Sequence, residues 1–326
     1  MIDKFNDSYR EAIKKVEGLT HRPLWSVVIP TYNCATYLRQ TLKSVVKQFP
    51  GNQLMEIIVV DDFSTDDPEL VVKEFTVPIT FFKQPQNVGK SKNYVTGIKM
   101  ARGEYVHLLH GDDMVKFGFY SKMGDLFHSY PEASAAFCHC QYVDENNQII
   151  GQTELLASSE GILDDFNETI ATWQQIQPPS IVFKRIVYES LGGYDSRLKY
   201  MEDWEFYVRA SVYFKFVYTP KTFAYYRIFE GNSSTQSIKG GKRVGTIFQV
   251  FEIMEKYLPT SILQRIRRGR NKSASVYLLN YIPYLMNARD LKGLVVVSKA
   301  FFKCNRDFRL WGRWLRFILQ YKKFLK

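Results

Sequence analysis

Short apolar segments alternate with helix-like segments in the first third of the chain, and this alternation limits the fold more than any other feature. WSVVIP (25–30), MEIIVVDD (55–62) and EYVHLLHGDD (104–113) have the nearly continuous hydrophobicity of strands that are buried on both faces. Between the first two, TYLRQTLKSVVKQ (36–48) has apolar residues at helical spacing. Strands that alternate with helices predict an α/β fold with a mainly parallel, Rossmann-like sheet flanked by helices.

Polar residues stand at the ends of these three segments. Thr31, Tyr32 and Asn33 follow the first segment, Asp61–Asp62 end the second, and Asp112–Asp113 end the third. Ligands of open α/β sheets bind at the carboxyl ends of the strands. We therefore expect the three polar strand ends to converge on one crevice.

The Asp112–Asp113 pair is the clearest chemical signal. Buried carboxylates must be paired, hydrated or bound to a metal. Mg²⁺ and Mn²⁺ prefer carboxylate oxygens and share them with substrate phosphates, so the pair suits a metal–diphosphate complex. Two other interpretations stay open at this point: the N-cap of a helix in DDMVKFGFYSKM (112–123), and the GDD turn of a template-directed RNA polymerase.

Two further acidic positions have candidate roles. Asp62 ends its strand, where it would accept hydrogen bonds from a base or ribose, and turn chemistry is the alternative. Much later, YMEDWEFYVRA (200–210) predicts a helix that Glu202 and Asp203 open, where the helix dipole favours ionised carboxylates. A carboxylate at that place suits a general base towards a sugar hydroxyl, and plain N-capping is the alternative.

Charge is distributed unevenly along the chain. Residues 239–326 contain 20 Lys and Arg against 4 Asp and Glu, a net charge of +16, so the total of +11 leaves −5 for residues 1–238. SIKGGKRVG (237–245) is typical of a linker. Because the two parts differ in charge, we expect them to face different partners. The predicted organisation is an N-terminal extension at 1–22, the α/β catalytic domain at 23–237 and a basic helical region at 238–326.

The last predicted helix carries basic charge along one face. Arg309, Arg313, Arg316, Gln320 and Lys323 recur at steps of four, three, four and three, and much of the remaining surface is apolar. Such a helix suits an anionic membrane surface. One alternative is a helix docked on the catalytic domain with its arginines solvated. A nucleic-acid-binding module is another, although it would leave the acidic strand ends without a purpose.

The sequence also bears on the compartment. It shows neither the features of a signal peptide nor the ~18 uninterrupted apolar residues of a membrane-spanning helix. We therefore expect a cytoplasmic protein that is peripheral on the inner face of the cell membrane. Cys34, Cys138, Cys140 and Cys304 form no CxxC pair, which predicts reduced structural thiols rather than a zinc site.

The motifs occur in a known order. They resemble the successive motifs of the family 2 glycosyltransferases, which are inverting enzymes with the GT-A fold, over roughly residues 24–232. The RNA polymerase interpretation has no place for the first and last of them and is set aside. The matching segments are SVVIPTYN (26–33), IIVVDDFSTDD (57–67), NVGKSKN (87–93), HGDD (110–113), GGYD (192–195) and YMEDWEFYVRA (200–210).

The resemblance implies roles for the matched positions. Asp113 would bind Mn²⁺ or Mg²⁺, and Asp203 would be the catalytic base, with Glu202 as the alternative. Inverting transfer needs a base for the acceptor hydroxyl and a cation for the leaving diphosphate, and it needs no covalent intermediate. The residues expected to bind the nucleotide and its diphosphate are Pro30, Thr31, Tyr32, Asn33, Asp62, Asn87, Lys92, Asn93, Asp112 and Arg227.

Two positions depart from the family pattern. Lys92 stands where the family often has an arginine. Phe229 stands where a histidine often follows the arginine by two, which leaves the second protein ligand of the metal open.

The overall prediction is a metal-dependent, inverting transferase of surface-polysaccharide type. It would move a sugar from a UDP-linked donor to a hydroxyl of a glycan, with lipid-linked glycan as one acceptor class and no nucleic acid partner. A protein that binds a nucleotide sugar without catalysis is the alternative, and Asp113 and Asp203 argue against it.

Overall fold

The computed structural model describes residues 8–18, 20–232, 236–304 and 307–324, with side chains described up to Leu319. The chain divides into two compact units. The first contains the chain up to Phe166 and Gln175–Ile228, and the second contains Asn167–Gln174 and Phe229–Lys326.

The short segment 167–174 belongs to the second unit although it lies within the predicted catalytic domain. Its Glu168 carboxylate accepts a hydrogen bond from Nε of Arg265 at 2.9 Å, and the ring centroid of Trp173 lies 4.8 Å from that of Tyr277. These partners are about a hundred residues away in sequence, so no local pattern indicates the pairing.

The first unit, which we call the catalytic unit, has a sheet with helices beside it. Its strands are β1 (Trp25–Thr31), β2 (Met55–Asp61), β3 (Ile79–Lys83), β4 (Tyr105–Leu108), β5 (Met114–Val115), β6 (Ala133–Val143), β7 (Ile149–Gln152), β8 (Gly161–Ile162), β9 (Ile181–Lys184) and β10 (Lys215–Arg227). Its helices are α1 (Ala35–Val46), α2 (Pro68–Val72), α3 (Lys90–Met100), α4 (Phe119–Ser129), α6 (Arg185–Leu191) and α7 (Glu202–Tyr213); α5 (Phe166–Thr172) starts at the last residue of its first segment.

The strand order is β3-β2-β1-β4-β9-β6-β10-β5, with β7 paired to β6 and β8 to β10. Strands β1 to β4 are parallel where they pair, and so are β6 and β10. β9 lies antiparallel between β4 and β6. The predicted α/β fold, with a largely parallel sheet flanked by helices, is therefore confirmed.

Burial explains why these segments form this sheet. All seven residues of β1 are buried, and α1 buries Leu38, Leu42 and Val45 along one face. Helix α3 approaches the sheet through Gly97. A Cβ atom there would lie 2.3 Å from Cγ1 of Val28, so only glycine allows α3 to pack this closely on β1.

The N-terminal segment 8–18 packs on the catalytic unit. Arg10 is buried, and its Nη2 lies 2.9 Å from Oδ2 of Asp195 and 3.3 Å from Oε1 of Glu205. The backbone N–H of Gly193 donates to the carbonyl of Glu11 at 2.9 Å. This segment, predicted as an extension, therefore supports the start of α7 and the GGYD turn before it.

The second unit, which we call the C-terminal unit, is helical. Its long helices are α8 (Lys242–Met254), α9 (Thr260–Asn287), α10 (Leu291–Cys304) and α11 (Phe308–Phe324). Ile247, Leu278, Ile282 and Phe301 form part of its buried interior. Across the described ranges, every helix is too short or too polar to cross a bilayer.

Candidate active site

The polar strand ends lie side by side in the catalytic unit. Thr31 and Asp61 are opposite each other in the parallel register of β1 and β2. The backbone N–H of Asp62 donates to the carbonyl of Thr31 at 2.9 Å, and that of Gly111 donates to the carbonyl of Pro30 at 3.0 Å. The ends of β1, β2 and the loop after β4 thus meet at one edge of the sheet, as the pattern predicts.

The loop after β1 is tied to the loop after β2. Asn33 has φ of 48°, a left-handed conformation that asparagine tolerates. Its Oδ1 accepts a hydrogen bond from the backbone N–H of Thr65 at 2.9 Å, and its own backbone N–H donates to Oγ of Ser64 at 3.0 Å. Thr31 is buried, whereas the next two residues, Tyr32 and Asn33, are exposed. Asn33 therefore shapes the loop, and the exposed Tyr32 lies at the strand ends.

Asp62 holds the loop that leads into α3. Its Oδ1 accepts from the backbone N–H of Val88 at 2.7 Å and its Oδ2 from that of Gly89 at 3.0 Å, while Nδ2 of Asn87 donates to its carbonyl at 3.2 Å. Burial raises the pKa of this carboxyl, and these two backbone bonds counteract the rise. The structure thus brings Asp62 and Asn87 together, with both carboxylate oxygens already bonded to protein.

Asn93 and Lys92, one residue apart, have opposite surroundings. Asn93 is buried; its Nδ2 donates to the carbonyl of Val60 at 2.8 Å, and its Oδ1 accepts from Nε2 of Gln84 at 3.1 Å. Lys92 is exposed. Asn93 therefore acts as a support of the strand end rather than as a group open to a ligand.

Asp113 is almost fully buried, with 1% of its side chain exposed. Its Oδ1 accepts from the backbone N–H of Arg227 at 2.8 Å, and its Oδ2 has no hydrogen-bond partner among the described residues. Thr41 fixes the loop, because its Oγ1 lies 3.0 Å from the carbonyl oxygen of Gly111 and 2.7 Å from that of Asp113 and can donate to either. Burial raises the pKa of Asp112 to about 6; burial, and then the charge of Asp112, raise the pKa of Asp113 well above its usual value.

His110 completes this cluster. One ligand atom each from His110, Asp112 and Asp113 lie within 4.8 Å of one another, and Nδ1 of His110 is 3.9 Å from Oδ2 of Asp113. Burial lowers the pKa of His110 to about 3, so the imidazole is neutral and keeps a lone pair. In the described ranges, its buried Nε2 has no hydrogen-bond partner. A buried carboxylate oxygen without a partner, next to a neutral imidazole, fits a divalent cation.

Arg227 supports this cluster from β10. Its side chain is 1% exposed, and Nε donates to the carbonyl of Asp112 at 2.8 Å, Nη1 to that of Asp144 at 2.9 Å, and Nη2 to Oε1 of Gln40 at 2.9 Å. The guanidinium carbon lies 4.6 Å from the ring centroid of Tyr37. The expected contact between Arg227 and a diphosphate does not agree with this burial, because each of its nitrogens already bonds to protein.

A second acidic site lies at the start of α7. Oε1 of buried Glu202 is 2.8 Å from Nζ of Lys90, and the Oε2 atom of Glu202 has no hydrogen-bond partner in the part of the chain that the structure describes. Asp203 is partly exposed, and its Oδ1 accepts from the backbone N–H of Trp204 at 2.8 Å. The two acids therefore differ: Glu202 is buried and paired with the partly exposed Lys90, whereas Asp203 is itself partly exposed.

Tyr94 lies between the two acidic sites. Its ring is stacked on that of His110, with centroids 5.1 Å apart. Burial, and then the charges of Glu202, Asp203 and Asp112, raise the pKa of the Tyr94 hydroxyl well above its usual value. Acids nearly a hundred residues apart in sequence thus act on one side chain, so the structure brings both sites into one neighbourhood.

Sequence reasoning did not single out His110, Lys90 or Tyr94. The signal for His110 was its position three residues before Asp113. Lys90 stands at the first position of α3, and its charge acts on both His110 and Asp112 while it pairs with Glu202. All four cysteines are free thiols, as predicted. Cys34 lies beside this site, where its Sγ and Oγ1 of Thr31 share a hydrogen bond at 3.0 Å.

Comparison with known proteins identifies the family. A model of glycosyl transferase family 2 matches residues 26–191. An uncharacterized glycosyltransferase of Rickettsia typhi is 27% identical over 203 residues, which cover 60% of this chain and 62% of that protein. One of Mycoplasma genitalium is 35% identical over 113 residues, 33% of this chain and 37% of that protein. The minor teichoic acid biosynthesis protein GgaB of Bacillus subtilis is 32% identical over 108 residues, 32% of this chain and 12% of that protein.

The chain thus spans less than two thirds of the length of these curated relatives. Two solved structures cover more of it. Residues 1–349 of Staphylococcus aureus TarS, in complex with UDP-GlcNAc, align with a TM-score of 0.62 at 17% identity over 86% of this chain and 91% of that one. The mannosyltransferase PcManGT from Pyrobaculum calidifontis, in complex with GDP-Man and Mn²⁺, aligns with a TM-score of 0.59 at 16% identity over 98% and 91%.

At these identities the likeness to the two structures concerns the fold, which agrees with the predicted GT-A type. The family model is the stronger result, because it covers just over half of the 326 residues. Its range includes the strand ends, Asp62 and the Asp112–Asp113 pair, and it ends before Glu202 and Asp203. The protein belongs to glycosyl transferase family 2.

Proposed function

We propose that the protein is an inverting glycosyltransferase that moves a sugar from a nucleotide-sugar donor of the UDP class to a hydroxyl of a glycan, with Mn²⁺ or Mg²⁺ bound at Asp113. The observation that carries this proposal is the buried Oδ2 atom of Asp113, which has no hydrogen-bond partner in the described part of the chain and lies beside His110. The solved neighbours support it, since one was determined with UDP-GlcNAc and the other with GDP-Man and Mn²⁺.

The residues that would hold the cation are Asp113, with His110 as the second protein ligand and Asp112 beside them. His110 thereby fills the role that Phe229 leaves open. When bound, the cation would neutralise charge on the leaving diphosphate. Lys90 would add positive charge from the protein itself, because its ammonium group already acts electrostatically on His110 and Asp112. We propose that Lys90 takes the diphosphate role that the motif assigned to Lys92.

Asp203 would be the general base. A base must reach the acceptor hydroxyl, and Asp203 is partly exposed. Glu202 is buried and paired with Lys90, so its carboxylate is less accessible to an acceptor hydroxyl than that of Asp203. Glu202 would instead position Lys90 between the two acidic sites.

The C-terminal helix α11 supports a membrane-associated role. Phe308, Trp311, Leu315 and Leu319 follow one another at steps of three, four and four and are all exposed. On the opposite side of the helix Leu310 is buried, and the partly buried Trp314 donates from Nε1 to Oγ of Ser298 at 3.0 Å.

A basic face of α11 lies between the exposed apolar stripe and the buried side of the helix. Arg309, Arg313 and Arg316 are exposed on it, and the side chains of Gln320 and Lys323 lie outside the described residues. An exposed apolar stripe beside a basic stripe is typical of helices that lie in the interface of anionic membranes. A lipid-linked glycan is the acceptor class that such a location suits, and the teichoic acid relative named above supports a surface polymer.

Titration of UDP in the presence of Mn²⁺ tests the donor and metal site. We expect the parent protein to bind UDP with Mn²⁺, and Asp113→Asn to lose the metal-dependent part of the affinity while keeping its circular dichroism spectrum. Asp125→Asn, which removes an exposed acid of α4, is the control for charge. If Asp113→Asn binds as well as Asp125→Asn, Asp113 is only a structural residue and the proposed metal site is wrong. Donor hydrolysis across nucleotide sugars then identifies the sugar and nucleotide.

A further inference from the structure

A cavity of about 660 Å³ lies within the C-terminal unit, and none of the residues that line it is among those proposed for the active site. Its walls are formed by α8, α9 and α10 and by Glu255, which follows α8. We propose that this cavity binds the phosphate group of a larger ligand. The proposal goes beyond the function proposed above and does not rest on it.

The central observation is the guanidinium of Arg270, whose side chain is only 8% exposed. Its Nη2 donates to Oε1 of Glu255 at 2.5 Å, and its central carbon lies 4.3 Å from the ring centroid of Phe251. Arg270, Glu255 and Phe251 all line the cavity, so the guanidinium is part of its wall. Its Nε and Nη1 have no hydrogen-bond partner within residues 8–18, 20–232, 236–304 and 307–324.

Buried arginine donors without acceptors are unfavourable, and an incoming anion would supply those acceptors. A guanidinium presents its N–H groups as a planar fork, which matches two oxygens of one phosphate. Glu255 accepts a hydrogen bond from only one of the three guanidinium nitrogens, Nη2. Arg270 is therefore placed as a phosphate-binding residue whose remaining donors are not yet used.

Two other cations line the same cavity. Arg267 is exposed one turn before Arg270 on α9, and Nζ of Lys303 lies 4.6 Å from the ring centroid of Phe248. Thr260, the first residue of the 28-residue helix α9, also lines the cavity, so the positive end of that helix dipole contributes to the field. Charge from separate helices is thus concentrated at one place.

The cavity also has acidic residues, and they suggest how the ligand would enter. Glu252 and Glu255 are both exposed, Glu255 to 49% of its side chain. Glu255 can therefore turn into solvent and release Arg270. A phosphate with two negative charges would then take the place of the single carboxylate, because it offers more oxygens and more charge to the same guanidinium.

The size and lining of the cavity indicate a ligand larger than phosphate. Its volume falls within the range of about 300–1,000 Å³ that is typical of ligand sites. The rings of Phe248 and Phe251 both line it and offer apolar surface to the part of the ligand that carries the phosphate. A sugar phosphate or a lipid phosphate headgroup shares this chemistry.

Binding of inorganic phosphate to the full chain, measured by calorimetry, tests the site. We expect Arg270→Gln to weaken binding about tenfold or more, since a charged hydrogen-bonding partner is lost, and Arg267→Gln to weaken it less. Arg268→Gln is the matched control, because Arg268 is the exposed neighbour of Arg267 and does not line the cavity. Glu255→Gln should tighten binding, because it removes the competing carboxylate.

Tighter phosphate binding by Glu255→Gln distinguishes a binding site from a structural ion pair. If the pair were only structural, this variant would lose stability and gain no affinity for phosphate. It also keeps the test valid if Arg270→Gln fails to fold. Equal binding by Arg267→Gln and Arg268→Gln, together with no gain in Glu255→Gln, would mean an adventitious ion only and would overturn the proposal. UDP and Mn²⁺ titration of the same variants should be unchanged, so failure here is separate from failure of the catalytic site.

Two probes then identify the source of the phosphate. Glucose 1-phosphate that competes with inorganic phosphate in the parent, and not in Arg270→Gln, assigns the cavity to a soluble sugar phosphate. Vesicles that contain phosphatidic acid, bound more weakly by Arg270→Gln than by Arg268→Gln, assign it to a lipid headgroup. If neither probe responds to Arg270→Gln, the cavity does not bind a phosphate-bearing ligand.

Discussion

At the scale of single residues, Glu202 and Asp203 show how neighbours in sequence acquire different chemistry. Glu202 is buried with Lys90 as its ion-pair partner, and Asp203 is partly exposed. A proton acceptor needs access to the acceptor hydroxyl more than it needs a stable charge. We therefore propose Asp203 as the catalytic base and Glu202 as a positioning residue.

Replacement of Asp203 by Asn separates chemistry from donor binding. Loss of a general base should lower the rate of transfer by ~10²–10⁴-fold, and the affinity for UDP with Mn²⁺ should be unchanged because Asp203 is not a proposed ligand of either. Glu202→Gln is the comparison: it releases Lys90, so it should weaken donor binding as well. Near-normal transfer by Asp203→Asn would assign the base elsewhere.

The raised pKa values of Asp112 and Asp113 predict a pH dependence. Protons compete with a cation for these carboxylates, so Mn²⁺ affinity should increase as the pH rises through about 6, the pKa of Asp112. Without metal, the sign for stability is opposite: a carboxyl whose pKa is higher in the folded state binds more protons there, so the free energy of unfolding should fall as the pH rises from about 4 to about 6.

Urea unfolding between these pH values, with and without Mn²⁺, measures both effects. Mn²⁺ should remove the loss of stability at the upper end, because it compensates the buried charge. Asp112→Asn should flatten the dependence of the metal-free protein. An unchanged slope in that variant would show that other groups control the titration.

Lys90 also shows the limit of residue-level prediction. Successive helical residues are rotated by about 100°, so Lys90 and Lys92 point to nearly opposite sides of α3. The motif NVGKSKN contains both lysines and does not reveal where the helix begins. The acids were predictable because strand ends converge, whereas the choice of lysine depends on the first turn of one helix, which starts at Lys90.

At the scale of elements, the contact of α3 with the sheet depends on Gly97. A Cβ there would lie 2.3 Å from Cγ1 of Val28 and 3.0 Å from Cγ2 of Val60. The helix carries Lys90 at one end and Tyr94 one turn later. Its position against β1 and β2 therefore also positions the groups that join the two acidic sites.

Gly97→Ala should destabilise the protein by about 1–3 kcal/mol, because overpacking forces helix and sheet apart. Gly124→Ala is the matched control. It also changes a mid-helix glycine of the catalytic unit, but the nearest atom to its new Cβ would be Cζ2 of Trp25 at 3.7 Å, an ordinary contact. We expect Gly124→Ala to be neutral or to stabilise by up to about 1 kcal/mol. Equal midpoints of urea unfolding for both variants would contradict the close packing.

The sequence predicts the strands and helices themselves better than it predicts which strands lie side by side in the sheet. The strands β1, β2 and β4 follow from continuous apolar runs, and their parallel order follows from the helices between them. The antiparallel insertion of β9 between β4 and β6, and the pairing of β10 with β6, join segments far apart in sequence. Local patterns tell which face of a strand is buried and not which strand lies beside it.

At the scale of the whole molecule, the two units divide chemistry and charge. The acids that we assign to metal binding and catalysis lie in the catalytic unit, and residues 239–326 carry a net charge of +16. The exposed apolar stripe of α11 lies in the same basic part. Such a division suits an enzyme that takes a soluble donor on one unit and meets a membrane with the other.

Sedimentation with vesicles tests this division. Trp311→Ser combined with Leu315→Ser should reduce binding to phosphatidylglycerol vesicles, because both side chains are exposed on the apolar face. Phe117→Ser is the control, since Phe117 is an exposed aromatic residue of the catalytic unit. Each basic residue near an anionic surface contributes about 1 kcal/mol, so high salt should also weaken binding, and neutral vesicles should bind less. Equal sedimentation of all variants would mean that α11 does not touch the lipid.

Strand β10 gives this division a mechanical meaning. It ends at Arg227, whose backbone N–H holds Oδ1 of Asp113 and whose Nε holds the carbonyl of Asp112. The chain leaves the catalytic unit only one residue later, after Ile228. Tension applied to the chain beyond that point would therefore pull on the strand whose last residue makes the hydrogen bonds that shape the acidic cluster. A rigid tether or fusion inserted directly after Ile228 should therefore change the cation affinity of the proposed site. A long flexible linker at the same place should leave that affinity unchanged.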